Sequence, residues 1–196
     1  NRPRKEKKLP NFINYAEYMN LISTIEKEDN TYLRLRNLLL LEILFDTGLR
    51  VSEAVNIKIK DIDFKNHSIK VLGKGSKERI VYFGDYASNY LEEYLSLREG
   101  IKSSDDEYLF WNKNYQKLTR RGAEYLINNI AKKALLKQKI TPHTLRHTFA
   151  TEMLNNGCDI RSVQELLGHK SLSTTGIYTH VTNEVVREEY LKAFKR

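Results

Sequence analysis

Four residues of types that suit phosphate chemistry follow one another in the last third of the sequence. His143 and Arg146 lie in Thr-Pro-His-Thr-Leu-Arg-His, His169 ends Leu-Gly-His, and Tyr178 lies in Ile-Tyr-Thr-His. A phenol oxygen can attack phosphorus, while an arginine and histidines neutralise the charge of the phosphate. The pattern therefore indicates a phosphodiester as the partner of Tyr178.

The helix predicted around His143 and Arg146 favours the same chemistry. Residues three apart point to similar sides of a helix, and this pair lies in the first turn, where free backbone N–H groups favour an anion. The apolar stripe of Leu145 and Phe149 occupies a neighbouring face. Taken alone, either residue would be better explained by a structural role, a helix cap for the histidine or a surface ion pair for the arginine.

The charge balance agrees with a nucleic-acid partner. The chain has 33 Lys and Arg against 25 Asp and Glu, a net charge of +8. A positive field of this size favours DNA, RNA or an anionic membrane surface, although a merely soluble basic protein would also show it.

Length and composition predict one globular domain, with or without arms. A chain of 196 residues that is 40% hydrophobic can bury a proper core. The single Cys158 excludes an internal disulfide and fits a reducing cytosol. The apolar run 38–45 is too short for a bilayer and contains Glu42, and the N-terminus lacks the apolar region of a signal peptide. We expect a soluble, cytoplasmic protein with no membrane partner.

Residues 1–10 are expected to lie outside the globular domain. They are basic and are bracketed by Pro3 and Pro10. Such a segment suits a linker or an arm along a phosphate backbone, and a solubilising tail fits it as well.

Apolar residues at helical spacing predict a mainly helical domain. Gly48 is expected to end the second helix as a left-handed cap, and Ser52 to cap the third. Four helices are expected over 31–46, 52–56, 85–98 and 183–194. Five more are expected to begin at about residues 14, 119, 141, 159 and 171. The helix from 171 would carry Tyr178, and residues 100–118 are expected to be irregular and polar.

A small sheet is predicted between the third and fourth helices. Apolar residues alternate over 57–64, 69–72 and 80–83, with a turn at 65–67 and the loop Gly-Lys-Gly-Ser-Lys at 73–77. The expected fold class is therefore mainly α with a three-stranded antiparallel sheet, an α+β domain over 11–196.

Five motifs, taken together, resemble a known family. They are Thr-Gly-Leu-Arg-Val-Ser-Glu around Arg50, Gly-Lys-Gly-Ser-Lys-Glu-Arg around Lys74, His-Thr-Leu-Arg-His-Thr-Phe-Ala from His143, Leu-Leu-Gly-His ending at His169, and Tyr-Thr-His from Tyr178. Their order and gaps closely resemble the catalytic domain of tyrosine recombinases, especially Xer-type proteins and phage or transposon integrases. The resemblance runs from about residue 14 to the C-terminus and implies that catalytic-domain fold.

The resemblance implies a role for each matching residue around the scissile phosphate. Arg50 and Arg146 would clamp the non-bridging oxygens, for which the planar, always charged arginine fork is suited. His169 would donate a further hydrogen bond. Lys74, at the hairpin tip, would protonate the departing 5′ oxygen; without the other motifs, a solvated lysine would be the favoured interpretation.

The nucleophile implied by the resemblance is Tyr178, with His143 helping to accept its proton. A phenol of pKa about 10 needs neighbouring positive charge to react at neutral pH. Tyr190 is the next candidate, but its place in the terminal helix favours packing. The implied product is a 3′-phosphotyrosine with a free 5′ hydroxyl, formed with no cofactor and no metal.

The resemblance also implies double-stranded DNA and further protein subunits as partners. Lys77, Arg79, Arg120 and Arg121 are candidate DNA contacts. Relatives act as tetramers on DNA, so we expect a homo-oligomer or a paired recombinase held through the helix at 183–194. Chromosome-dimer resolution and mobile-element integration or excision fit equally well. A type IB topoisomerase and a non-catalytic DNA-binding protein are the competing functions.

Two departures from the family pattern, and one ambiguous residue, carry further expectations. This chain leaves no room for the usual N-terminal core-binding domain, so it is either an excised catalytic domain or a naturally short relative. Gly176 stands where relatives have a bulkier residue, which predicts a mobile tyrosine segment. Glu53 fits two roles equally, the orientation of Arg50 or a place on the surface of a helix.

Overall fold

The computed structural model describes residues 11–169 and 181–196. In this part of the chain the helices are α1 Tyr15–Glu26, α2 Thr31–Thr47, α3 Val51–Val55, α4 Asp85–Arg98, α5 Arg120–Lys133, α6 Pro142–Asn155, α7 Ile160–Leu167 and α8 Asn183–Ala193. The strands are β1 Ile62–Asp63, β2 Ser68–Leu72 and β3 Glu78–Tyr82. The predicted fold class, mainly helical with a three-stranded antiparallel sheet, is confirmed.

Local capping explains where several helices begin. The Asn14 side chain accepts the Glu17 N–H at the start of α1, Thr119 accepts the Gly122 N–H before α5, and Asp159 accepts two N–H groups of α7. These caps satisfy backbone donors that a first helical turn leaves free. Helix α3, Val51–Val55, begins and ends one residue before the predicted bounds of 52–56, and its N-cap is Arg50 and not the predicted Ser52.

Helix α2 is the centre of the fold. Its residues 35–47 are buried on every side, and it packs most extensively against α4 and α6. Gly48 ends it in the left-handed conformation with φ of 67°. A Cβ on Gly48 would lie 2.3 Å from the Phe149 ring, so both the backbone angle and the packing require glycine here.

The sheet is an antiparallel meander in the order β1-β2-β3, with Ile69 opposite Val81. Its first strand is shorter than predicted. Ile57 and Ile59 form backbone hydrogen bonds to Leu109 and Glu107 instead, so residues 57–59 pair with the segment before Phe110. An apolar period of two marks an extended chain but does not identify its partner strand.

The segment 100–118 is irregular, as predicted, but it is not uniformly polar. Leu109, Phe110 and Trp111 are fully buried in the larger core. The Arg98 guanidinium lies 3.4 Å from the centre of the Trp111 ring and donates to three backbone carbonyls of the segment. Burial of these three apolar side chains, two of them aromatic, thus fixes this long connection against α4.

A second, smaller core lies beside the first. It consists of Tyr82, Phe149, Met153, Cys158, Val163, Leu166, Leu167, Val186, Tyr190 and Ala193. Tyr190 packs here as predicted, and its hydroxyl donates to the Asp46 carbonyl at 2.9 Å. Helix α6 joins the two cores, since Leu145 belongs to the larger and Phe149 to the smaller. Arg146 therefore lies at their junction.

Candidate active site

Arg50 projects from the short turn that joins α2 to α3. Gly48 reverses the chain, Leu49 is fully buried, and the Arg50 N–H donates to the Glu53 carboxylate at 2.9 Å. The Arg50 side chain remains 44% exposed. The turn is thus fixed from both sides while the guanidinium faces solvent.

The Arg146 side chain is held in place by hydrogen bonds to two backbone carbonyls. Its Nη1 donates to Gly48 O and its Nη2 to Leu167 O, both at 2.8 Å, and the residue is only 8% exposed. Burial, and then the charge of Arg50, lower the pKa of Arg146 to about 10. The side chain therefore stays charged at neutral pH, in a place that supplies little solvent screening.

Backbone carbonyls at the C-terminus of α7 accept hydrogen bonds from three arginines of the site. Leu167 O accepts from both Arg146 and Arg50, the latter at 3.5 Å, and Leu166 O accepts from Arg79 Nε at 2.8 Å. Free carbonyls at a helix C-terminus carry partial negative charge, which favours cations. The end of α7 thereby offsets part of the repulsion among three arginines.

His169 follows immediately, behind the left-handed Gly168 that ends α7. Its backbone N–H donates to Gln164 O at 3.1 Å, which fixes the turn. Partial burial, and then the charges of Arg146, Arg50 and Arg79, lower the pKa of His169. The neutral imidazole is favoured, and it can still donate one N–H to an anion.

Four of the predicted catalytic residues line one cavity of about 820 Å³: Arg50, His143, Arg146 and His169. A second cavity, of about 450 Å³, shares Arg50 and His169 and is lined by Lys74 as well. The structure thus brings together five residues that are far apart in sequence. The predicted nucleophile Tyr178, together with His180 and Gly176, lies outside the described residues.

The predicted DNA contacts divide into exposed and buried side chains. Lys77 is exposed in the smaller cavity, and Arg120 and Arg121 are exposed at the larger one, where Arg120 also pairs with Glu124 at 2.9 Å. Lys139, which sequence reasoning missed, lines the same cavity. The basic run from 132 to 139 was the available signal, but helical periodicity alone did not show which of its lysines faces the site.

Arg79 differs from its expected role as an exposed DNA contact. Its side chain is only 9% exposed, and its two Nη atoms donate to the Glu53 carboxylate at 2.6 and 3.0 Å. Burial acts to raise the pKa of Glu53, but the hydrogen bonds and charges of Arg79 and Arg50 outweigh it, so that pKa is lowered. Glu53 therefore does not lie on the helix surface: it is buried, and its carboxylate accepts from the Arg50 backbone N–H and the Arg79 guanidinium.

Known proteins show the same pattern over nearly the whole chain. The model of the phage integrase family matches residues 11–184. Tyrosine recombinase XerC of Staphylococcus aureus is 49% identical over 194 residues, covering 99% of this chain. The XerA recombinase structure is 35% identical with a TM-score of 0.76, over 96% of this chain and 66% of its own. The XerH site-specific recombinase, solved on its difH substrate, is 36% identical with a TM-score of 0.72, over 93% of this chain and 54% of its own.

The chain spans 64% of the length of the XerC relatives that it matches. None of the helices within 11–169 and 181–196 is long and apolar enough to cross a membrane. This chain belongs to the phage integrase family of tyrosine recombinases.

Proposed function

We propose that this chain is the catalytic part of a site-specific DNA recombinase, which cleaves and rejoins strands through a 3′-phosphotyrosine on Tyr178. One observation carries the proposal: Arg50, Arg146 and His169 converge on one cavity, with Lys74 at the cavity that adjoins it. Residues 11–196 would form the catalytic domain, and residues 1–10 a basic linker or arm.

The two arginines would bind the scissile phosphate. Arg146 commits two N–H groups to backbone carbonyls, which leaves three of its five donors. Arg50 presents a largely exposed fork beside it. Fixed donors that await the developing charge stabilise a transition state without reorganisation, and His169 would add one more.

Proton transfer would accompany a single exchange of bonds at phosphorus. The Tyr178 oxygen forms a bond to phosphorus as the bond from phosphorus to the 5′ oxygen breaks. The phenol proton passes to His143, and Lys74 donates a proton to the departing oxygen. The phosphotyrosine conserves the bond energy, so the reverse reaction rejoins the strand without ATP.

Double-stranded DNA would lie across both cavities. Arg120, Arg121 and Lys139 supply positive charge beside the larger cavity, and Lys77 beside the smaller. Further subunits, either a tetramer of this chain or a paired recombinase, would associate through α8. Chromosome-dimer resolution and mobile-element integration or excision remain the two settings, and a chromosomal substrate would place the protein in the cytoplasm.

A nicked suicide substrate tests the proposal. The full-length protein is footprinted on DNA of its source, and the protected sequence is rebuilt as a duplex nicked near the cleavage position. We expect a covalent protein–DNA adduct that Tyr178→Phe abolishes and Tyr190→Phe retains, since Tyr190 is buried. No adduct on the protected sequence would refute cleavage, and site-independent relaxation of supercoiled plasmid would indicate a topoisomerase.

A further inference from the structure

Arg79 joins three elements that carry the candidate active site. It lies on β3, donates through Nε to Leu166 O of α7 at 2.8 Å, and binds the Glu53 carboxylate of α3 with both Nη atoms. The fork geometry of arginine matches a carboxylate with two parallel hydrogen bonds, which a lysine cannot do. Arg79 thus fixes distance and orientation between these elements.

Two glycines make room for this guanidinium. A Cβ on Gly168 would lie 2.8 Å from Arg79 Nη1, and a Cβ on Gly73 would lie 3.2 Å from the same atom. Gly73 also closes the base of the hairpin, where its N–H donates to Lys77 O at 2.8 Å. The guanidinium therefore fits between the end of α7 and the base of the Lys74 hairpin.

Three neighbours of Arg79 connect it to residues with a proposed catalytic role. Gly73 directly precedes Lys74, Gly168 directly precedes His169, and Glu53 also binds the backbone N–H of Arg50. Lys74 itself is exposed, on a hairpin tip whose Gly75 has φ of 74°. Because the tip of the hairpin is exposed, the position of Lys74 depends on how the base of the hairpin is held.

We propose that Arg79 is a positioning residue that holds the Lys74 hairpin against α7, so that Lys74 reaches the departing 5′ oxygen. The inference rests on the proposed function, in which Lys74 is the general acid. If Arg79 only stabilised the fold, it would not need to contact the base of the Lys74 hairpin. Since buried ion pairs contribute little net stability, stability alone is a weak reason for Arg79 and Glu53 to be buried together.

The test uses a substrate that needs no general acid. The nicked duplex is made in two forms, one with the normal 5′ oxygen and one with sulfur at that bridging position. A thiol has a pKa of about 8.5, so sulfur departs as thiolate without receiving a proton. The initial rate of adduct formation is compared for wild type, Lys74→Ala, Arg79→Gln and Arg50→Ala, with Arg161→Gln as a matched control on the exposed face of α7.

On the oxygen substrate we expect Arg79→Gln to react about 10- to 100-fold more slowly than wild type, less than the roughly 100- to 10,000-fold that a general acid supplies, because Lys74 is displaced and not removed. On the sulfur substrate Arg79→Gln and Lys74→Ala should both return to near the wild-type rate. Arg50→Ala should react slowly with both substrates, because Arg50 binds the non-bridging phosphate oxygens whether oxygen or sulfur is the leaving atom. Arg161→Gln should match wild type throughout.

Equal slowing of Arg79→Gln on both substrates, beside rescue of Lys74→Ala, would overturn the inference and leave the proposed function intact. If sulfur fails to rescue Lys74→Ala, Lys74 is not the general acid and the inference fails, although cleavage itself stands. If wild type forms no adduct on either substrate, the proposed function fails and the inference with it. Should Arg79→Gln unfold, Arg79→Lys replaces it. That variant keeps the charge but loses the fork, so a smaller defect on oxygen, again removed by sulfur, is expected.

Discussion

Arg50 and Arg146 donate to the same acceptor, the carbonyl oxygen of Leu167, at 3.5 and 2.8 Å. Two like charges are therefore held together before any anion is bound. The cost is offset in part by the C-terminus of α7 and by the Glu53 carboxylate, which lies 3.8 Å from Arg50 Nη1.

Inorganic phosphate should stabilise the folded protein, since it relieves the repulsion between Arg50 and Arg146. Phosphate at about ten times its dissociation constant contributes about 1.4 kcal/mol, which raises the unfolding temperature of a chain of this size by about 3–6 °C. Thermal unfolding in phosphate and in chloride at equal ionic strength measures the shift. Arg50→Gln should lose most of it, and Arg161→Gln should keep it; an equal shift in all three proteins would contradict a specific site.

The two arginines should differ in their contribution to stability. Arg146→Ala removes the donors of two buried carbonyls, those of Gly48 and Leu167, and should cost about 1–3 kcal/mol. Arg50→Ala should change the free energy of unfolding by no more than about 0.5 kcal/mol, because its side chain is largely exposed and its loss relieves Arg146. Urea unfolding of both variants decides this, and a larger cost for Arg50→Ala would contradict the geometry.

Gly168→Ala should destabilise the protein more than Gly157→Ala. Both glycines have positive φ, 68° and 88°, so alanine is strained by about 1 kcal/mol at either site. A Cβ on Gly168 would also lie 2.8 Å from the Arg79 guanidinium, whereas one on Gly157 would meet no described atom within 4 Å. Urea unfolding of the pair measures the difference, and equal costs would show that Arg79 moves aside freely.

The carboxyl group of Asp46 should make stability fall as pH rises towards neutrality. It is buried among Glu42, Glu152 and Arg196, and its Oδ2 accepts the Gly84 N–H at 2.9 Å. Burial raises the pKa of Asp46 to about 7, although the charge of Arg196 acts in the opposite direction. Because the folded state binds this proton more tightly than the unfolded state, its stabilisation is complete below about pH 4 and is lost as pH rises through about 7.

Asp46→Asn mimics the protonated carboxyl and should remove this dependence. The difference in free energy of unfolding between Asp46→Asn and wild type should increase in favour of the variant by up to about 1.4 kcal/mol for each pH unit between 4 and 7. Above about pH 7 this difference should stay constant. Urea unfolding at several pH values provides the comparison, with the exposed Glu92→Gln as control. A difference that stays constant between pH 4 and 7 would contradict the prediction.

Helix positions could be predicted because their causes are local. Helix α4 has the predicted bounds, and α6 begins at the predicted Thr141-Pro142 pair, where Thr141 accepts the Thr144 N–H. A cap depends on residues three apart, so a short stretch of sequence contains the whole cause. The first strand was predicted too long because its partner, near residue 108, is distant in sequence.

Residue types and spacing nominated His143, Arg146 and His169, and the resemblance to tyrosine recombinases added Arg50 and Lys74. The structure places all five around two adjoining cavities. The sequence by itself determined which chemical groups are present and which helices and turns carry them, because capping, periodicity and glycine turns act over a few residues. Only the tertiary structure decided that Arg79 faces inward to Glu53 while Lys139 faces the cavity. In the sequence, an arginine that will be buried looks the same as one that stays exposed. Only the long-range contacts of β3 with α3 and α7 remove Arg79 from solvent.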